Sequence, residues 1–120
     1  MEEQLIIHTE HLNRDEDGYL YYENKLFTGV EEWHYDTGEV GTTTEYLNGV
    51  PHGWMTGLFK NGKIRSKKRY QNGCIHGTVE KWDEHGAKLY EAEIYNGKAI
   101  MEKEWDDQGR LTKKIIKEKV

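Results

Sequence analysis

Apolar and polar positions alternate along most of this chain with a period of two, and glycine breaks the alternation at regular intervals. Val40, Thr42, Thr44 and Tyr46 fall on one side of an extended segment, with Glu39, Thr43 and Glu45 on the other. Ile64, Ser66, Lys68 and Tyr70 repeat the scheme on a later segment. A period of two is that of a β-strand, whose successive side chains point to opposite faces of the sheet. The breaks at Asn48-Gly49, Asn72-Gly73 and Asn96-Gly97 tolerate positive φ at both centres of a type I′ turn, the strongest short-range hairpin signal. Asp36-Thr37-Gly38 and Lys60-Asn61-Gly62 suit three-residue or bulged hairpins. The order is therefore strand, tight turn, strand, tight turn.

The same breaks carry a repeat. Tyr46-Leu47-Asn48-Gly49-Val50-Pro51-His52-Gly53 and Tyr70-Gln71-Asn72-Gly73-Cys74-Ile75-His76-Gly77 share Tyr-x-Asn-Gly-x-x-His-Gly at a spacing of 24 residues. One step back lies Tyr22-Glu23-Asn24-Lys25-Leu26-Phe27-Thr28-Gly29, with Lys25 in place of the turn glycine. One step forward lies Ile94-Tyr95-Asn96-Gly97-Lys98-Ala99-Ile100-Met101, with Met101 in place of the closing glycine. An aromatic followed by glycine keeps the same beat at Tyr35-Gly38, Phe59-Gly62, Trp82-Gly86 and Trp105-Gly109. The third copy reads as one residue longer at Gly86-Ala87-Lys88-Leu89, which predicts a bulge or a looser turn there.

Self-similarity at a fixed period decides the fold ahead of local propensity. The prediction is an all-β fold: one elongated, twisted antiparallel meander of β-hairpin repeats with eight or nine strands. It forms a single repeat domain over 1–120, with a lead segment 1–21 and units at about 22–45, 46–69, 70–93 and 94–116. One face should be packed by aromatics and the other wet and charged. Leu5-Ile6-Ile7 reads as a short edge strand or a disordered lead, and His11 to Gly18 as a polar loop ending in a turn. The tail from Leu111 reads as a last strand whose lysines guard an exposed edge.

Composition adds two constraints. The 35% hydrophobic and 32% charged fractions are polar for a globular chain, yet 4 Trp, 8 Tyr and 2 Phe are more aromatics than disorder explains. The beginning, Met1 to His8, has no basic leader and no long apolar run, so no stable membrane insertion and a cytoplasmic location are expected. Cys74, the single cysteine, has no internal disulfide partner and reads as a small apolar strand residue.

Charge is segregated along the chain. Met1 to Asn48 holds 12 acids against Arg14 and Lys25, a net of −10; the remainder holds 10 acids and 15 bases, a net of +5, which together give −5. An acidic end of this kind steers a basic partner.

Asn13-x-Asp15-x-Asp17-Gly18 opens like a calcium loop, but the twelfth position, where such a loop needs a bidentate Glu, is Asn24. His52 and His76 occupy equivalent repeat positions, so their spacing is that of the repeat and not of a ligand set. Cys74-Ile75-His76 lacks a second pair at zinc spacing. The expectation is no metal, no cofactor and no catalytic constellation: the chain is not read as an enzyme. The basic run Lys60, Lys63, Arg65, Lys67, Lys68, Arg69 lacks interleaved aromatics, and period two splits it between faces, so no nucleic acid is expected.

The consensus Tyr-x-Asn-Gly-x-x-x-Gly, followed by an aromatic and a further glycine, resembles the bacterial MORN-variant repeat. More narrowly it is similar to antitoxin and immunity proteins of the YwqK type, whose Asp-Gly-aromatic lead and Phe-Thr-Gly opening are matched by Asp17-Gly18-Tyr19 and Phe27-Thr28-Gly29. The resemblance covers about Asp17 to Leu111. It implies a cytoplasmic protein-binding immunity protein or antitoxin that masks the active site of a cognate, basic toxin such as a nuclease. Glu31, Glu32, Trp33, Tyr35, Glu39 and Glu45 are the expected partner-binding residues, aromatic anchors ringed by complementary charge. The alternative is a non-catalytic scaffold repeat that binds a membrane surface or self-assembles through strand edges.

Overall fold

The structure, a computed structural model, describes residues 4–117. Glu2 and Glu3 of the acidic half and Lys119 of the basic tail lie outside the described residues. The elements are β1 (Ile6–His8), a 3-10 turn (Thr9–His11), β2 (Asn13–Arg14), β3 (Leu20–Tyr22), β4 (Lys25–Leu26), β5 (Gly29–His34) and β6 (Val40–Leu47). They continue with β7 (Val50–Leu58), β8 (Ile64–Gln71), β9 (Cys74–Trp82), β10 (Lys88–Tyr95), β11 (Lys98–Trp105) and β12 (Leu111–Ile116). A 9-stranded sheet runs β1-β5-β6-β7-β8-β9-β10-β11-β12, and β2-β3-β4 form a separate 3-stranded sheet. From β5 to β12 every neighbour is antiparallel and consecutive, the meander that the repeat predicts. The radius of gyration is 16.3 Å, against about 14 Å for a compact chain of this length, so the array is elongated.

The Asn-Gly turns form where the sequence places them. Asn48, Asn72 and Asn96 have φ of 49°, 50° and 50°, followed by Gly49, Gly73 and Gly97 at 85°, 87° and 77°, the left-handed pair of a type I′ turn. The other family of turns is equally regular. In Tyr35–Glu39, Phe59–Lys63, Asp83–Ala87 and Asp106–Arg110 the first N–H donates to the fifth carbonyl. The N–H of the fourth residue, a glycine, returns to the first carbonyl. Asp15–Tyr19 closes in the same way, so the segment with the look of a calcium loop is a fifth copy of this turn.

Three expectations are corrected. The first copy turns one residue early: Glu23 and Asn24 carry the positive φ, and Lys25 begins β4 instead of standing in for a turn glycine. The third copy has no extra residue. Gly86 follows Gly62 by the same 24 residues as Gly62 follows Gly38, and Asp83 takes the place of Tyr35 and Phe59 because Trp82 has moved back onto the strand. Nor is the bulge special to it. Register slips by one residue at Gly41, Arg65, Leu89 and Thr112, once in each long hairpin closed by the five-residue turn. These bulges move Val40 off the face of Thr42, Thr44 and Tyr46, since Val40 pairs with His34 while Thr42 pairs with Trp33.

The lead segment departs from the meander. β1 pairs parallel with β5, and Gly29 makes this possible: a Cβ there would lie 2.5 Å from the Leu5 carbonyl oxygen. The small sheet folds onto the end of the large one, packing Leu20 and Phe27 against Tyr46, with Ile7, Leu12 and Tyr22 around them. Gly49 joins the two sheets through its backbone, donating to Phe27 O at 2.8 Å and accepting from Leu20 N at 2.9 Å. Elsewhere the core is thin, chiefly Val79 and Ala92.

Candidate interaction surface

Paired residues share a face, so the register sorts the side chains. The row Glu31, Thr44, Met55, Lys68, Val79, Ala92, Glu102 and the row Trp33, Thr42, Gly57, Ser66, Lys81, Tyr90, Glu104 lie on what we term the front. The back carries Glu32, Thr43, Thr56, Lys67, Glu80, Glu91 and Lys103. The expected division into an aromatic and a charged face is not what forms. Trp54, Trp82 and Trp105 are on the back with the charges, because the positions next to Met55, Lys81 and Glu104 point away from the front.

Of the expected partner-binding residues, Glu31 and Trp33 share the front, and Tyr35 packs edge-on against Trp33 at 5.0 Å. Gly41 lies beneath the indole, where a Cβ would come within 2.4 Å of the ring. Trp33 keeps 43% of its surface exposed. Tyr35 is fixed by donating to Leu58 O at 2.7 Å. Glu39, at the neighbouring turn, accepts from the Thr37 hydroxyl. That hydrogen bond, a backbone one and the nearby Lys60 outweigh burial and hold its carboxyl below the ordinary value.

Glu32 and Glu45 are on the back, and both are engaged. Glu32 meets His34 at 2.9 Å, and Glu45 Oε1 accepts from Trp54 N–H at 2.6 Å. The six residues therefore do not form one patch. Glu31, Trp33 and Tyr35 do, with Glu39 at its rim.

Beside Trp33 the front dips into an open depression of about 290 Å³, bounded by Glu31, Thr42, Tyr46, Met55 and Tyr70, with Thr9 at one edge. At its edge the Tyr46 hydroxyl is hydrogen-bonded to the Arg14 side chain. Burial pushes the Tyr46 hydroxyl pKa up, hydrogen bonding to Arg14 opposes this, and Glu31 pushes it further up. Arg14, the one Lys or Arg of the lead segment, also donates to the Gly18 carbonyl at 2.8 Å.

Sequence reasoning missed the most connected ionic site. On the back, Lys88 Nζ donates to Glu80 Oε2 at 2.7 Å and Glu91 Oε1 at 2.6 Å, with Lys103 4.0 Å from Glu91. The same ammonium lies 5.8 Å and 6.0 Å from the Trp82 and Trp105 ring centres, a geometry favourable to a cation. These partners come from neighbouring strands at unrelated sequence positions, and only register brings them together.

Asp15 Oδ1 accepts from the N–H groups of Asp17 and Tyr19 at 3.0 and 2.9 Å, so its carboxylate is used in closing the turn. Among the described residues no group of three or more His, Cys, Asp or Glu side chains is arranged to hold a metal ion. No helix among them is long and apolar enough to cross a membrane. Cys74 is exposed at the start of β9 rather than packed. No protein-family model, no curated protein and no solved structure shows significant similarity to the chain.

Proposed function

We propose that this chain is a protein-binding immunity protein or antitoxin of the MORN-variant repeat kind. It neutralises a basic toxin, a nuclease for example, by covering its active cleft. The observation that carries the reading is the patch of Glu31, Trp33 and Tyr35 on the acidic half of the array. A half-exposed indole lies flat over a glycine, braced by a tyrosine, beside a depression. Rigid aromatic anchors of this kind supply affinity at small entropic cost, and surrounding acid supplies a fast on-rate. Glu32 and Glu45 act through the long-range field only, since their carboxylates are engaged on the back.

The experiment measures association with the cognate toxin, by stopped flow over a range of salt. Trp33→Ala should raise the dissociation rate, and Glu31→Gln with Glu39→Lys should slow association and flatten its salt dependence. If reversing Lys113, Lys114 and Lys117 abolishes binding while those substitutions change nothing, the partner lies on the C-terminal repeats and the acidic-face reading fails.

One observation favours assembly through strand edges as a second reading. β12 ends the large sheet with Leu111 and Ile116 exposed at 50% and 68%. Sedimentation across concentration tests it; a monomer at all concentrations removes this reading.

A further inference from the structure

Two neighbouring depressions on this molecule are copies of each other, one repeat apart. The first is bounded by His52, Gly53, Arg69, Tyr70, Gln71 and His76 and has a volume of about 290 Å³. The second, of about 390 Å³, is bounded by the same positions one unit earlier: Glu45 stands for Arg69, Thr28 for His52, and His52 for His76. Both arise from the glycine that closes the repeat motif, since at Gly53 and Gly77, with φ of 110° and 91°, the strand steps out of register with its neighbour. The backbone is thus constant and the charge is inverted. Glu45, Arg69 and Glu93 occupy one repeat position, and only the middle one is basic.

The chemistry of the middle copy is that of a donor set. No carboxylate is among the residues bounding it. His52 Nδ1 accepts from Asn72 N–H at 3.2 Å, which places the ring proton on Nε2 and leaves that N–H to donate. The Arg69 guanidinium lies 5.2 Å from the Trp54 ring centre, which Lys67 Nζ also overlies at 4.6 Å. Among the described residues Arg69 has no carboxylate within ion-pair distance. The Glu45 carboxylate, two strands away on β6, lies against Gly53 and is held by Trp54 N–H. An arginine fork next to two imidazoles in a concave site, with no acid among the bounding residues and none paired with the guanidinium, matches the geometry and charge of an oxyanion.

We propose that the depression between His52 and His76 is an oxyanion-binding site for a phosphate or carboxylate group. Arg69 supplies the charge, and the imidazoles supply directed hydrogen bonds. The site is open to water, so binding of a free ion lies in the millimolar range.

The test is a titration of the ¹⁵N-labelled full chain with inorganic phosphate and, separately, sodium acetate, at constant ionic strength. Saturable shifts of the Trp54 indole N–H and the Gly53 and Gly77 amides are expected. Arg69→Glu places there the residue type that Glu45 and Glu93 already supply in the same backbone setting, and should weaken binding about tenfold or more. His52→Thr keeps an acceptor for Asn72, as Thr28 does for Asn48, and should weaken binding by a smaller factor. Tighter binding of phosphate assigns the site to a phosphate-bearing ligand, and tighter binding of acetate to a carboxylate-bearing one. No saturable shift with either ion, or an unchanged response in a folded Arg69→Glu variant, overturns the proposal. Because the probe is a free ion, the result is independent of the proposed toxin.

Discussion

The Nδ1 atom of His52 accepts a hydrogen bond from the backbone N–H of Asn72 at 3.2 Å, and the hydroxyl of Thr28 does the same for Asn48 at 2.9 Å. The first two units each therefore tie down the type I′ turn of the next through the residue just before the closing glycine. Any side chain with an acceptor at the right reach can fill the role. His52→Thr should leave the urea midpoint close to that of the native chain, whereas His52→Leu should lower stability by about 1 kcal/mol, the net worth of one hydrogen bond. Equal destabilisation by both variants would show that the imidazole acts here by packing.

The turn glycines share a backbone conformation and differ in their surroundings. A Cβ at Gly49 would lie 2.8 Å from Leu26 Cδ2 and 3.1 Å from Leu20 O, while one at Gly97 meets nothing within 4 Å. Gly97→Ala should cost only the left-handed backbone penalty, about 1 kcal/mol. Gly49→Ala should add an overpacking cost of about 1–3 kcal/mol, because it wedges the small sheet from the large one. Chemical denaturation of the two variants decides it, and similar midpoints would contradict the described docking.

Lys88 separates two carboxylates. Lys88→Met should destabilise the chain by about 1–2 kcal/mol, less than two full charge-assisted hydrogen bonds because the site keeps part of its surface wet. It leaves Glu80 and Glu91 facing each other across β9 and β10, so the loss should shrink in high salt. A melting temperature equal to the native value at low salt would show the network to be energetically silent.

The two ends of the pH scale should act on different elements. Burial and the hydrogen bond it donates to Glu102 at 2.7 Å push the Tyr90 hydroxyl from 10.0 up to about 12. The fold holds that proton more tightly than the unfolded chain does. Its stabilising contribution is therefore complete below pH 10.0 and disappears as pH climbs through about 12. Tyr90→Phe should flatten the stability curve in that window. At the acid end, backbone N–H groups in the turns hold the Asp83 and Asp106 carboxyls below 3.8. That contribution is present above pH 3.8 and is lost as pH falls below it. Asp83→Asn should remove Asp83's share of this pH dependence and keep the turn, because an amide oxygen can accept from the His85 and Ala87 N–H groups as the carboxylate does.

What could be read from the sequence was whatever depends on local backbone chemistry. Asn48-Gly49 and its copies specify φ by residue type, so the hairpins and hence the meander follow directly. The bulges at Gly41, Arg65, Leu89 and Thr112 have no shared residue type, and each exchanges the face of the residues beyond it. Period-two reasoning therefore placed Val40 with Thr42, while Glu31, Glu32 and Glu45 were grouped by their charge alone although the strand sets Glu31 on one face and the other two on the opposite one. The separate sheet was hidden for a related reason: Glu23-Asn24 turns without a glycine, which leaves β3 and β4 free to fold away onto Tyr46. The Lys88 network depends on cross-strand register, which becomes legible only after the bulges are located.

The coincidence of turn, bulge and lock at one spacing bears on how such a gene can change. An unequal crossover between matching positions of two copies, for instance at Tyr46 and Tyr70, removes or adds one unit of 24 residues. It joins Glu45 to Tyr70 with strand direction, pleat and turn order intact. Because the position held by Glu45, Arg69 and Glu93 can differ between copies on the same backbone, recombination changes which charges are displayed and how long the array is without passing through an unfoldable ancestor. The scaffold is inherited as a unit, and its surface chemistry can be reassorted copy by copy.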